Sequence, residues 1–188
     1  QGVGEIFCLP KTAWPPTCIR FPQPPVVRGF ASVAGKKERE GPLGDQFTAT
    51  VQDTTFGEKS WERAERRMQQ MTLELALEKA GLTDADLDAA FAGDLLNQCI
   101  GSSFSLRNRG VPTLGLYGAC STMAESLLLA AMSVSGGYAR TALAMTSSHF
   151  ASSERQYRFP LGYGGQRTPT SQWTVTGAGA VLLGGGER

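Results

Sequence analysis

Residues 113–137 read TLGLYGACSTMAESLLLAAMSVSGG, and this stretch decides the fold. Pro112 opens an apolar run, 113–117, that reads as a strand. A turn of small residues follows, Gly118-Ala119-Cys120-Ser121-Thr122, and leads into a helix from about 121 to 135. Met123, Leu127, Leu128, Leu129, Ala130, Ala131, Met132 and Val134 wrap that helix almost completely, with Glu125 its only charge. A helix that is apolar all round belongs in the middle of a structure and needs cover on both sides. Gly136 and Gly137 close it.

Working outward, residues 60–80 form a helix of the opposite kind. Ser60 suits the N-cap, Trp61, Ala64, Met68, Met71 and Leu75 recur at steps of three and four, and Gly81 supplies a left-handed stop. Glu62, Arg66, Arg67, Gln70 and Glu74 fill the other side, as on a surface helix packed against a sheet. Residues 87–93 read as a short buried strand. Residues 95–107 read as a helix with Leu96, Ile100, Phe104 and Arg107 along one side. Residues 140–146 read as a strand running into Ser147-Ser148-His149, and residues 173–183 as a last strand, with Gly177 and Gly179 where backbones pack closely. A weaker first strand falls at 26–35, followed by a charged, glycine-bounded loop at 36–44. Strands alternating with helices imply an α/β unit with a mostly parallel sheet and right-handed crossovers.

Residues 1–25 carry Pro10, Pro15, Pro16, Pro22, Pro24 and Pro25, which block helix and central strand, so they read as an extended arm ahead of a domain at 26–188. The first residue is Gln1, not Met, and the last five, Gly-Gly-Gly-Glu-Arg, directly follow a strand-like run; both ends read as cuts in a longer protein. The 188 residues suffice for one ordinary core. A formal net charge of +1 gives no bulk reason to expect nucleic acid or an anionic membrane as partner. The longest apolar run, 126–134, is about half the length a bilayer span requires. Four cysteines without a Cys-x-x-Cys pair read as neither a zinc site nor a disulfide framework, and point to a reducing compartment. A single histidine, His149, excludes a histidine-rich metal site.

Asp94, Cys120 and His149 each follow a strand directly, where open α/β folds place their sites. A cysteine at a helix start faces unpaired N–H groups and the positive end of the helix dipole, which favours thiolate; an ordinary cysteine in a packing turn fits the same residues. Cys120 and Ser121 at that helix start make a ready anion site. His149 is a base for Cys120, a ligand hydrogen-bond donor, or a polar residue at a strand end. Asp94 is a helix N-cap, a residue facing the crevice, or both. Asn97, one turn on, is a ligand contact or a surface amide. Residues 154–167 interleave Arg155, Tyr157, Arg158, Phe159, Tyr163 and Arg167, as in a solvated loop or a lid over an anionic ligand.

The runs Ala92-Gly-Asp-Leu-Leu-Asn-Gln98, Tyr117-Gly-Ala-Cys-Ser-Thr122, Thr146-Ser-Ser-His149, Glu154-Arg-Gln-Tyr157 and Tyr163-Gly-Gly-Gln166, in that order, resemble the stage V sporulation protein AD family. Gly41-Pro-Leu-Gly44 and Trp61-Glu-Arg-Ala-Glu65 fit the same pattern, and the resemblance covers about 28–183. It implies a thiolase-like fold of two related halves with central helices buried between two sheets. This chain would be the amino-terminal half, and the missing carboxy-terminal half would cover its apolar helix. The family binds dipicolinic acid and works with membrane-embedded stage V transport proteins of the bacterial spore. That implies a place in the forespore or spore, peripheral to the inner membrane, with homodimers possible for the complete molecule. Asp94 and Cys120 carry over as ligand-binding positions. No cofactor is implied, but a carboxylate beside a dianionic ligand suggests calcium carried with it and touching Asp94. Two other readings stand beside this one: acyl transfer with Cys120 as nucleophile, and a structural scaffold for a membrane channel.

Overall fold

The computed structural model describes residues 18–157 and 168–186. Six strands form one sheet: β1 (Pro25–Ala34), β2 (Ala49–Thr50), β3 (Ala89–Gly93), β4 (Thr113–Leu116), β5 (Thr141–Ser148) and β6 (Gly177–Gly185), in the spatial order β2-β1-β6-β5-β3-β4. β3 pairs in parallel with β4 and β5, and β1 with β2, while β6 runs antiparallel to both neighbours. Among the described strands only β6 is therefore reversed. Its first residues lie at the edge of the sheet where the other strands end.

Among the described residues five α-helices accompany the sheet: α1 (Lys36–Arg39), α2 (Trp61–Ala80), α3 (Ile100–Leu106), α4 (Thr122–Ser135) and α5 (Phe150–Tyr157). α2 begins and ends as its sequence dictates. Ser60 accepts a hydrogen bond from the Arg63 N–H, and Gly81 closes the helix at φ 65°. One face of the sheet packs Leu143, Met145 and Leu182 against Leu73, Ala76 and Leu77 of α2. The other packs Phe91, Ala142, Ala144 and Leu183 against Ala130, Ala131 and Val134 of α4. The alternation along β5, one side chain to each layer, is the two-residue period of a strand buried on both faces.

α4 has the sheet on one side only. Leu128 and Met132, on its outer side, are 37% and 47% exposed. The expectation that this helix sits in the middle of something is met on its inner face.

Several elements differ from the sequence reading. The helix expected at 95–107 is broken where Gln98 and Cys99 take positive φ (60° and 51°), so α3 starts only at Ile100. Its buried face is Gly101, Ser102, Ser105 and Leu106, and Ile100 and Phe104 face outward. The stripe on α2 is also rotated: Trp61, Met71 and Leu75 lie at its half-buried rim, and Glu65 and Gln69 are fully buried in its centre. β6 starts at Gly177, four residues after the expected 173, and neither Gly177 nor Gly179 marks a tight approach. The tight approach is at Gly93, where a Cβ would sit 2.2 Å from the Leu116 carbonyl oxygen and 2.5 Å from Thr122 Cγ2. The proposed lid falls partly on α5, while residues 158–167 lie outside the described residues, as do residues 1–17 of the proposed arm.

Candidate functional site

Asp94 follows β3 directly and is 1% exposed. Its Oδ1 accepts from the Leu96 N–H at 2.9 Å, and its Oδ2 accepts from the Ser102 N–H at 2.7 Å and the Ser102 hydroxyl at 2.5 Å. Ser102 is the third residue of α3, so the carboxylate satisfies a helix N–H from outside the helix. The capping role read from the sequence is present in this longer-range form. It also explains the reversed face of α3: Asp94 draws Ser102 inward and turns Phe104 out.

Both Asp94 oxygens are thus engaged with protein donors and shielded from solvent, which does not fit a calcium ion held by this carboxylate. Among the described residues no group of three or more His, Cys, Asp or Glu side chains is placed to hold a metal.

Cys120 sits in the middle of a single 3-10 turn, Ala119–Ser121, directly before α4, and is exposed. Ala119 takes φ 49°, the Ser121 hydroxyl donates to the Gly118 carbonyl at 2.8 Å, and Thr122 Oγ1 accepts from the Gly118 N–H at 3.1 Å. The turn is therefore fixed from both sides of Cys120. An acid already stands at this helix start: a Cβ on Gly118 would lie 2.5 Å from Glu125 Oε2, in the first turn of α4. The positive end of the helix is shared with that carboxylate, which weakens it as an anion site.

His149 does not join Cys120. It is fully buried, stacked on Phe150 at 5.2 Å between ring centroids and packed against Trp61 at 5.5 Å. Nε2 lies 2.8 Å from the Thr54 carbonyl oxygen and Nδ1 lies 3.2 Å from the Ala151 N, so the neutral ring donates through one nitrogen and accepts through the other. Burial pushes its pKa below the ordinary histidine value, against the Thr54 hydrogen bond that raises it. Neither nitrogen is left for a thiol or a ligand. The plain reading, a polar residue at a strand end, is the one the structure supports. Asn97 is exposed, and its backbone N–H donates to Gln156 Oε1 at 3.0 Å.

What converges at the strand ends is a cleft. A cavity of about 530 Å³ is lined by Leu95 after β3, Cys120 and Met123 before and within α4, Ser147 and Ser148 at the end of β5, and Gly177 at the start of β6. A second of about 640 Å³ adjoins it across Leu95, Ala119 and Thr174, with Tyr117, Glu154 and Tyr157 on its walls. The Tyr117 and Tyr157 hydroxyls touch each other, and Tyr157 also reaches the Leu95 carbonyl. Burial and the Tyr117 contact push the Tyr157 phenol up to about 12, so it stays protonated and donates.

Beneath the cleft lies a set of buried polar side chains that the sequence reading missed. Gln69 donates to the Ser147 hydroxyl at 2.7 Å, and Ser147 donates to Glu65 Oε1 at 2.8 Å. Ser152, at the start of α5, donates to Glu65 Oε2 at 2.8 Å. On the other side Ser105 donates to Gln69 Oε1 at 2.6 Å, and one helical turn away Ser102 meets Asp94. Burial, and next to it the Asp94 charge, push Glu65 up to about 7 against the two serine hydrogen bonds. The available signal was the four-residue spacing of Glu65 and Gln69, which puts both on the inward arc beside Ala64 and Met68.

Comparison with known proteins places this geometry. The sequence pattern of the family described as stage V sporulation protein AD matches residues 16–188. The chain belongs to that family. Stage V sporulation protein AD of Bacillus subtilis (strain 168) is 45% identical over 163 residues, covering 87% of this chain and 48% of the relative. The chain thus spans about half the length of this sporulation protein. Among solved structures, Xanthomonas campestris OleA with bound lauric acid and lauroyl-CoA superposes with a TM-score of 0.59 at 14% identity, covering 88% of this chain and 57% of that one. The 3-oxoacyl-[acyl-carrier-protein] synthase III of Aquifex aeolicus VF5 gives 0.56 at 17% identity, over 87% and 55%. At such identities these show the fold alone, and it is thiolase-like.

Proposed function

We propose that this sporulation-family chain forms the first wall of a binding site for dipicolinic acid, within a membrane-associated transport complex of the spore. The observation that carries the reading is the cleft at the ends of β3, β4 and β5, in a chain 45% identical to a stage V sporulation protein AD. The polar side chains beneath the cleft are already hydrogen-bonded to one another. Its lining includes the exposed Cys120 turn and the Tyr117–Tyr157 pair, whose rings suit a planar aromatic ligand. Asp94 serves this site from below by fixing the 94–102 segment, and calcium is not required for that part. In this reading membrane-embedded partners hold the complex at the membrane; no helix among the described residues is long and apolar enough to cross a bilayer. Calorimetric titration of dipicolinate into the full-length protein, with and without calcium, tests the reading. Saturable binding in both conditions supports it, and no binding to folded protein overturns it.

Acyl transfer is favoured by one observation, the exposed Cys120 in a strand-to-helix turn of a ketosynthase-like fold. Against it, His149 has no nitrogen free to act as base. Covalent trapping of Cys120 by an acyl thioester separates the two readings.

A further inference from the structure

We propose that Glu65 is a proton-linked positioning residue of the Cys120 cleft: clamped between Ser147 at the end of β5 and Ser152 at the start of α5, its carboxyl group couples the uptake of one proton to the binding of an anionic ligand. The inference rests on the dicarboxylate reading above and adds its regulation.

The geometry is a three-way junction. Glu65 comes from α2, Ser147 from the strand that lines the cleft, and Ser152 from the helix whose last residue, Tyr157, forms the opposite wall. All three side chains are buried. Two acids, Glu65 and Asp94, occupy this interior, and among the described residues neither has a cation within ion-pair distance. Of the other elements packed against α2, α5 carries a cation, Arg155, which is paired with Glu62 of α2 and not with Glu65. α3, β5 and β6 contain no ionisable residue. Arg28 of β1 lies against Gly184, at the opposite end of β6 from Ser147's partner Ala178. His149 is held neutral, and Glu154 on α5 is a further acid.

A dianion entering the cleft adds negative charge to a region that already holds two buried carboxyl groups. Protonating Glu65 removes one of them. The hydrogen-bond pattern accommodates the proton: Oε1 then donates to Ser147 Oγ, which still accepts from Gln69, and the Ser147 hydrogen is released from Glu65. That Glu65 is pushed up to about 7 places the exchange within reach of ordinary pH.

The test is calorimetric titration of dipicolinate into the full-length protein from pH 6 to 8.5, in buffers of different ionisation enthalpy, for the parent and Glu65→Gln. The ligand is fully ionised throughout, so proton uptake reports the protein. The parent is expected to take up close to one proton per ligand above pH 7, with affinity falling up to tenfold per pH unit there and levelling below pH 6. Glu65→Gln is expected to bind with little pH dependence and no uptake. Uptake persisting in a folded Glu65→Gln variant, or parent binding with no uptake at any pH, overturns this inference and leaves the binding reading intact. Absence of dipicolinate binding by the folded parent overturns both.

Discussion

One carboxylate holds Ser102 twice: the Ser102 N–H and hydroxyl both reach Asp94 Oδ2, at 2.7 and 2.5 Å. The contact joins the end of β3 to the first turn of α3 and shapes the segment that carries Leu95 into the cleft. Asp94→Ala leaves buried donors unpaired and is expected to cost about 2–4 kcal/mol in urea unfolding. Dipicolinate binding should fall in step with that stability loss. Binding lost with stability unchanged would instead mean that Asp94 touches the ligand directly.

Cys120 is exposed, and its turn is held by Gly118, Ser121 and Thr122, not by the thiol. Cys120→Ala is therefore expected to unfold within about 0.5 kcal/mol of the parent. Its dipicolinate affinity should stay within about tenfold. Complete loss of binding in a stable variant would move Cys120 from lining residue to essential contact.

Glu65 gains protons on folding, because its folded pKa of about 7 lies above the ordinary glutamate value. Its contribution to stability is full below about pH 4.5 and is lost as pH rises through 7. The loss is on the order of 3 kcal/mol, and Glu65→Gln should remove it. Thermal unfolding at pH 5 and pH 8 checks this; equal pH sensitivity in both proteins counts against a buried, protonated Glu65.

His149 works in the other direction. Its folded pKa is depressed, so stability is present above the ordinary histidine value and is lost as pH falls below it, where the unfolded chain takes up a proton. His149→Phe suits the Phe150–Trp61 packing but leaves the Thr54 carbonyl and the Ala151 N–H without their ring partners, at about 1–3 kcal/mol each. In that variant the stability loss between pH 7 and 5 should shrink, which a pH series of denaturant midpoints would detect.

Gly93→Ala directs a methyl group at the Leu116 carbonyl and Thr122 Cγ2. Backbone cannot yield cheaply on that side. The variant is expected to lose about 1–3 kcal/mol, and to loosen β3 against β4 and the Cys120 turn. Unchanged amide exchange in β4 would show that the strands shift without strain.

The alternation of periods was legible: α2 with both its caps, α4 with its closing glycines, and strands β3, β4 and β5 all fall near the expected positions. Less legible was which side of a helix faces inward when buried residues are polar. Glu65, Gln69, Ser102 and Ser105 carry no hydrophobic signal, yet they are fully or almost fully buried because they satisfy one another. An apolar stripe drawn without them lands off centre, as it did on α2 and α3. His149 was ambiguous for a related reason. Phe150 is its neighbour in the chain, but Phe56 and Trp61 come from other segments, and only the fold brings those rings against it.

The reversed strand has a consequence for how the protein is made. β6 is the last of the described strands to leave the ribosome, yet it lies in the middle of the sheet, between β1 and β5. Until it arrives, β1 with β2 and β5 with β3 and β4 are two part-sheets, each with an open edge turned toward an empty slot. Such edges invite foreign strands, and closing them requires pairing between opposite ends of the described chain, which is slow. Synthesis therefore passes through a vulnerable interval that ends when one glycine-rich segment, residues 177–185, is threaded home. Transiently open strand edges of this kind are where association with other chains starts.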